Sequence, residues 1–222
     1  MTFSKEWDTS FKKNKHMSIW PWSDLVSYVM RYVKPSGENF KVLELGCGNG
    51  ANIPFFKHLG VKYFSIEGSI TIVNRLKEKY PELNDNIICG DFTQEIPILE
   101  KFDLIIDRGA LTLNLTKSIK KCLDNVLGKM KTKGKFIGID WFSTSHSDFK
   151  KGEPIPDDPY SRKGYKEGPL ADIGIVHFSD KKHLIELFDN FDIIVLEHKI
   201  CKREIPNDNF VSGVWNFVSV KK

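Results

Sequence analysis

Three glycines at alternate positions, Gly46, Gly48 and Gly50, follow the apolar run Val42-Leu43-Glu44-Leu45. Glycine lets a chain turn sharply and brings backbone N–H groups close to a ligand with no Cβ in the way. A second apolar run, Tyr63–Glu67, ends in a carboxylate and is followed by Gly68. A third, Asn86–Cys89, leads into Gly90-Asp91-Phe92. A carboxylate at the carboxyl end of a strand accepts hydrogen bonds from both hydroxyls of a ribose. A second acid and an aromatic ring beside it suit the amino group and the face of a base. Taken singly, a glycine-rich turn is a tight strand-to-helix link, Glu67 a surface carboxylate and Phe92 a core aromatic; their order along three successive runs favours a nucleoside site.

Such groups converge only if the three runs are neighbouring strands of one sheet. From Lys41 onward, short apolar runs alternate with stretches of helical period, the pattern of a parallel sheet covered on both faces. The strands expected are Val42–Leu45, Tyr63–Glu67, Asn86–Cys89, Leu104–Asp107, Phe136–Asp140 and Ile193–Lys199, with Phe210–Val220 as a seventh. Helices are expected near Asn52–Leu59, Ile70–Lys79, Lys117–Lys131 and Lys181–Asp189, making a doubly wound α/β sheet. The whole chain, 1–222, reads as one domain with two additions. The first is a helical extension, 1–38, with a helix over Asp24–Lys34 and Trp20 and Trp22 before it. The second is an insertion, 142–176, read as a long loop without secondary structure, as in a lid.

The order GxGxG, acid, GDF resembles the motifs of class I S-adenosylmethionine-dependent methyltransferases over about residues 40–220. The resemblance implies a Rossmann-like sheet of seven strands, mostly parallel with an antiparallel last strand, and S-adenosyl-L-methionine as cofactor. It implies that Glu44 reaches toward the methionine amino group, that Gly46, Cys47 and Gly48 form the loop facing the cofactor, that Glu67 and Gly68 hold the ribose, and that Asp91 and Phe92 hold the adenine. Read by itself, Cys47 is a packing residue of the glycine loop, since nothing near it would lower its pKa.

After the fourth strand, Asp107-Arg108-Gly109-Ala110-Leu111 resembles the thiopurine and thiol S-methyltransferases, whose arginine lies near a small acceptor. Asp107 supports the sulfonium end of the cofactor or orients Arg108. Arg108 either pairs with Asp107 or another strand-end carboxylate, or offers its planar fork to a carboxylate, phosphate or sulfur-bearing acceptor. A thiol acceptor needs little help to ionise, whereas a hydroxyl needs a base. His146 and His177, which flank the insertion, and Asp140 are the candidates. Each also has a plain structural reading: Asp140 as a strand-end cap, His146 as a loop residue, and His177 as a residue before a helix capped by Ser179. The insertion (Phe149, Tyr160, Arg162, Lys163, Tyr165, Lys166) and the tryptophans Trp20 and Trp22 are expected to close over the cofactor and touch the acceptor, or to pack the extension onto the sheet.

Composition narrows the partners. A net charge of +4 arises from 33 basic and 29 acidic residues scattered along the chain, without the concentrated stripe of a nucleic-acid binder. The Lys-rich run 117–135 reads as the solvated face of a helix. Four dispersed cysteines with no CxxC spacing suit reduced thiols in a cytoplasm, and no metal site is expected. Residues 1–15 lack an apolar signal core, and no run approaches the ~20 residues needed to cross a bilayer. The expectation is a cytoplasmic enzyme, monomer or homodimer, acting on a small molecule without nucleic acid or membrane. A sugar or surface-polymer precursor as acceptor, a cofactor-binding protein without catalysis, and a nicotinamide-dependent oxidoreductase are the competing readings.

Overall fold

The computed structural model describes residues 5–15 and 17–222, and, for Lys5, the backbone only; the first four residues of the extension, and His16, lie outside the described residues. Helices α1 (Lys5–Lys12) and α2 (Ser23–Tyr32) precede strand β1 (Lys41–Leu45), then α3 (Ile53–His58), β2 (Lys62–Glu67), α4 (Ile70–Lys79), β3 (Ile87–Cys89), β4 (Phe102–Arg108), α5 (Thr116–Lys129) and β5 (Met130–Phe142). The insertion contributes β6 (Glu153–Ile155), β7 (Asp158–Lys163) and β8 (Val176–His177), and α6 (Lys181–Leu187), β9 (Phe191–Lys202) and β10 (Val211–Lys221) complete the chain.

The main sheet has seven strands in the order β3-β2-β1-β4-β5-β10-β9. Strands β1 to β5 run parallel, and only β10, antiparallel to both β5 and β9, is reversed. Alternation along the strands supplies a core on each face. Leu43, Leu45 and Ile105 point with Phe136 to α5 and α6, where Ile119, Leu123, Val126 and Leu184 cover them. Val42, Leu104, Ile106 and Ile137 point the other way, onto Leu25 and Val29 of α2, Ile53 and Phe56 of α3, and Ile72, Val73 and Leu76 of α4. Helix starts follow local chemistry: the Ser69 hydroxyl accepts from the N–H of Ile72, and Pro54 sits in the first turn of α3, where it sacrifices no intrahelical bond.

Three expectations are corrected. The insertion is not a structureless loop: β6, β7 and β8 form a second, antiparallel sheet over a small core of Tyr165, Leu170, Ile173, Val176 and Phe178. These strands are two to six residues long and carry Pro, Asp and Arg, so their alternation is too brief to register. The Lys-rich run 117–135 is not one helix face, because α5 ends at Lys129 and Lys131–Lys135 already belong to β5, paired with β4. His177 is a strand residue, and the cap of α6 is Asp180, whose carboxylate accepts from the His183 N–H at 2.8 Å, not Ser179. Within the helical extension, α1 is a helix not placed from the sequence, its eight residues holding few apolar side chains. Among the described residues no helix is long and apolar enough to cross a membrane.

Candidate active site

A cleft of about 760 Å³ crosses the carboxyl ends of β3, β2, β1, β4 and β5, where open α/β sheets bind ligands. It brings together Glu44, Gly46, Cys47, Gly48, Glu67, Gly68, Asp91 and Phe92, with Arg108 and His146 at the far side. Asp107 lies fully buried beneath its floor, and His177 does not line it.

The glycine loop turns tightly after β1. Gly46 and Gly48 have φ of +68° and +49°, in the left-handed region. The Gly46 N–H donates to the Ile66 carbonyl at 2.8 Å, and a Cβ on Gly46 would stand 2.4 Å from that of Ala110. A Cβ on Gly48 would meet nothing nearer than Phe11 at 3.9 Å, so the backbone here faces open cleft. Glu67 spans the loop and the next turn: Oε2 accepts from the Gly48 N–H and Oε1 from the Ser69 N–H, both at 2.9 Å. Each oxygen keeps a second lone pair. Asp91 Oδ1 accepts from the Thr93 N–H at 3.0 Å, a turn that presents the acid beside Phe92.

The floor is acidic. Glu44, fully buried, accepts from Asn52 Nδ2 at 2.7 Å and from the Tyr63 hydroxyl. Burial pushes its pKa up to about 7 against those hydrogen bonds, and the nearby Glu67 adds to the rise. Burial also raises Glu67, which its backbone donors partly offset. Asp107 Oδ1 accepts from the N–H groups of Leu111 at 2.9 Å and Ala110 at 3.1 Å, while Oδ2 is buried without a hydrogen bond. Burial takes its pKa to about 7. Three carboxylates with so little compensating charge suit a ligand that is itself cationic. Cys47 is buried and its thiol pushed well up by burial, which makes it a packing residue rather than a nucleophile.

A carboxyl whose burial raises its folded-state pKa leaves the fold at full stability below its unfolded value and costs stability as pH rises toward the folded one. For Asp107→Asn in the free protein, which keeps the Oδ1 acceptor and removes the charge, a melting temperature several degrees above that of the parent is expected at pH 8. The gap should narrow as pH falls below 7 and close near pH 4; a gap independent of pH in differential scanning fluorimetry contradicts the buried-charge account.

At the acceptor side Arg108 forms the ion pair that was its plainer reading, with Asp140 and not Asp107: Nη2 and Nε lie 2.9 and 3.0 Å from Asp140 Oδ2. Trp22 lies over the guanidinium, with 3.6 Å from its carbon to the ring centroid. Asp140 adopts φ of +56° and its N–H donates to Asn216 Oδ1 at 2.9 Å. Asp107 therefore does not orient Arg108. His146 Nδ1 accepts from the Asp148 N–H at 3.1 Å, and burial lowers the ring's pKa. His177 is fully buried between Ser161 and Ser179, 3.2 and 3.1 Å from their hydroxyls, with its pKa lowered to about 3 by burial. It joins the insertion to its neighbours and is no base for the cleft. Of the expected lid residues Trp22 lines the cleft, whereas Trp20 is 74% exposed and Phe149, Tyr160, Arg162, Lys163, Tyr165 and Lys166 do not line it. The walls come instead from Trp7 and Phe11 of α1, Phe142, Leu170 and Ile173. Trp7 and Phe11 stand one helical turn apart, the one signal in the sequence that marked α1. Among the described residues no group of three or more His, Cys, Asp or Glu could hold a metal ion.

Residues 42–134 match the model of a family described as methyltransferase domain. No curated protein matches the chain. Solved structures share its fold at low identity. A SAM-dependent methyltransferase from Methanosarcina mazei is 16% identical with a TM-score of 0.66, over 91% of this chain and 98% of that one. The glycopeptide N-methyltransferase MtfA, complexed with sinefungin, is 15% identical with a TM-score of 0.63, over 89% and 85%. A Rhodobacter sphaeroides protein provisionally assigned to the Zn-dependent alcohol dehydrogenases is 11% identical with a TM-score of 0.68, over 99% and 100%, which speaks to the fold alone. The matched family model makes residues 42–134 a methyltransferase domain, and the ordered glycine and acid motifs and the reversed last strand agree with it.

Proposed function

We propose that this enzyme methylates a small molecule, and that residues 1–222 act as one domain in which the extension 1–38 and the insertion 142–176 wall the acceptor. The observation that carries the proposal is the single cleft in which the glycine loop, Glu67, Asp91 and the acidic floor adjoin walls supplied by α1 and the insertion. Its volume lies within the range of small-molecule sites and leaves room for a compact acceptor beside a cofactor. When bound, S-adenosylmethionine supplies an electrophilic methyl group on a sulfonium for in-line displacement.

The residues divide the work by position. Gly46, Cys47 and Gly48 bring backbone to the cofactor, Glu67 and Gly68 hold the ribose hydroxyls, and Asp91 and Phe92 receive the adenine. Glu44 and Asp107 place negative charge beneath the sulfonium and ammonium, so occupation of the site pulls their raised pKa values back down. Arg108, fixed by Asp140 and covered by Trp22, shapes the entry of the acceptor and holds it at near-attack distance away from water. A cytoplasmic setting, action without nucleic acid, and a monomer or homodimer belong to the same reading.

The test is transfer of label from methyl-tritiated S-adenosylmethionine to a panel of small thiols, phenols, alcohols and amines, with an oligonucleotide and a polysaccharide alongside. The expected result is labelled small product together with S-adenosylhomocysteine. Cofactor binding with no transfer to anything would make the protein a sensor or scaffold, and label in the oligonucleotide or polysaccharide alone would move the acceptor class.

A further inference from the structure

The charged groups of the cleft are unevenly partnered. At the cofactor end, Glu44 and Glu67 have polar hydrogen-bond donors and, among the described residues, no ion pair with a cation. At the other end, each carboxylate is matched: Asp140 holds Arg108, and Asp148 Oδ1 lies 2.9 Å from Lys151 Nζ. Arg108 is the one cation among the described residues lining the cleft, and its fork is occupied by Asp140 and its face by Trp22. The rest of this end is mostly apolar, with Phe142, Leu170, Ile173 and Val214 beside the polar Asn114 and Ser212.

His146 supplies an uncharged hydrogen-bond donor there, while Asp148 Oδ2 is buried without a hydrogen bond behind it. His146 is 7% exposed and lines the cleft. Its Nδ1 accepts from the Asp148 N–H at 3.1 Å, whereas Asp148 Oδ2 stands 3.8 Å from the same nitrogen, beyond hydrogen-bond reach. Acceptance at Nδ1 assigns the proton of the neutral ring to Nε2. Nε2 has no partner among the described residues and is left to the cleft. A ring held in this tautomer is a hydrogen-bond donor, not a base, because its basic lone pair is the one already used.

We infer that the acceptor end of this cleft takes an uncharged molecule with an apolar body and one hydrogen-bond-accepting atom, which the Nε2–H of His146 meets; the inference rests on the methyltransferase reading for what lies beside it. A carboxylate or phosphate would leave water with no free cation to receive it. An ammonium would face a donor, carboxylates already paired, and a cofactor of like charge. An uncharged group loses little on transfer and satisfies the histidine. His146 is in this account a positioning residue.

The experiment uses three near-isosteric probes, 3-phenylpropanamide, 3-phenylpropanoate and 3-phenylpropylammonium, titrated onto the full chain at pH 7.5 by ligand-observed NMR, with and without S-adenosylhomocysteine. The amide should bind at least about tenfold tighter than either charged probe. His146→Phe should abolish that preference and His146→Gln, which keeps an N–H donor, should restore part of it. Nitrogen-15 spectra of histidine-labelled protein should show the His146 proton on Nε2. Equal or tighter binding of a charged probe, absence of amide binding, unchanged amide affinity in His146→Phe, or a proton on Nδ1 overturns the inference. If S-adenosylhomocysteine does not bind while the amide preference persists, the cofactor assignment falls and the subsite stands; if it binds and the preference is absent, the reverse holds.

Discussion

Gly46→Ala should lower the melting temperature by roughly 6–12 °C and remove cofactor binding, an effect on the order of 3 kcal/mol. Two costs add at this position. A φ of +68° is one an L-residue adopts with a penalty of about 1 kcal/mol or more. The added Cβ would also stand 2.4 Å from Ala110 Cβ, and neither methyl can rotate out of the way. Relief requires the glycine loop and the turn after β4 to separate, yet the Ala110 and Leu111 N–H groups are held by Asp107. Gly48→Ala is the control: its φ of +49° carries the conformational penalty, but 3.9 Å of clearance to Phe11 removes the clash. Its melting temperature should fall far less, by about 2–4 °C, although its methyl group enters the cofactor's space. Equal destabilisation of the two variants in thermal melts would contradict the packing account.

Glu67→Ala should weaken S-adenosylhomocysteine at least about a hundredfold. On the proposed assignment the carboxylate accepts both ribose hydroxyls with lone pairs left over from Gly48 and Ser69, and hydrogen bonds to a charged acceptor are worth about 1.5–3 kcal/mol each. Alanine also frees the Gly48 N–H, so the loop loses one of its ties to β2 before any ligand arrives. Glu67→Gln separates the two effects: one amide oxygen remains to accept, and affinity should fall by about tenfold. Calorimetric titration gives both values. A Glu67→Ala variant that binds as tightly as the parent would remove Glu67 from the cofactor site.

The strands of the nucleoside half are legible in the sequence because their chemistry is local. Apolar β2 ends in Glu67, and β1 and β3 run directly into the glycine loop and into Gly90-Asp91, so Glu67 and Asp91 could be named from position alone. The order and the reversal of β10 came with the family resemblance rather than from periodicity. The acceptor half is not legible in the same way. Arg108 could be singled out, but not that its partner is Asp140, 32 positions away and turned toward it by a left-handed backbone. His146 and His177 look alike as lone histidines flanking an insertion; only the three-dimensional placement puts one in the cleft wall and the other between two serines. Leu170 and Ile173 reach the cleft through a small sheet whose strands are too short and too polar to show a period. Tertiary contacts decided what local propensity could not.

Titration calorimetry of the unmodified chain with S-adenosylhomocysteine, with NAD as the control ligand, tests the central claim most directly. Binding of S-adenosylhomocysteine in the micromolar range at one site per chain, with no heat from NAD, is the predicted result. Heat from NAD alone would contradict the account and return the cleft to a dinucleotide reading, and silence from both would mean that the glycine loop, Glu67 and Asp91 do not form a nucleoside site.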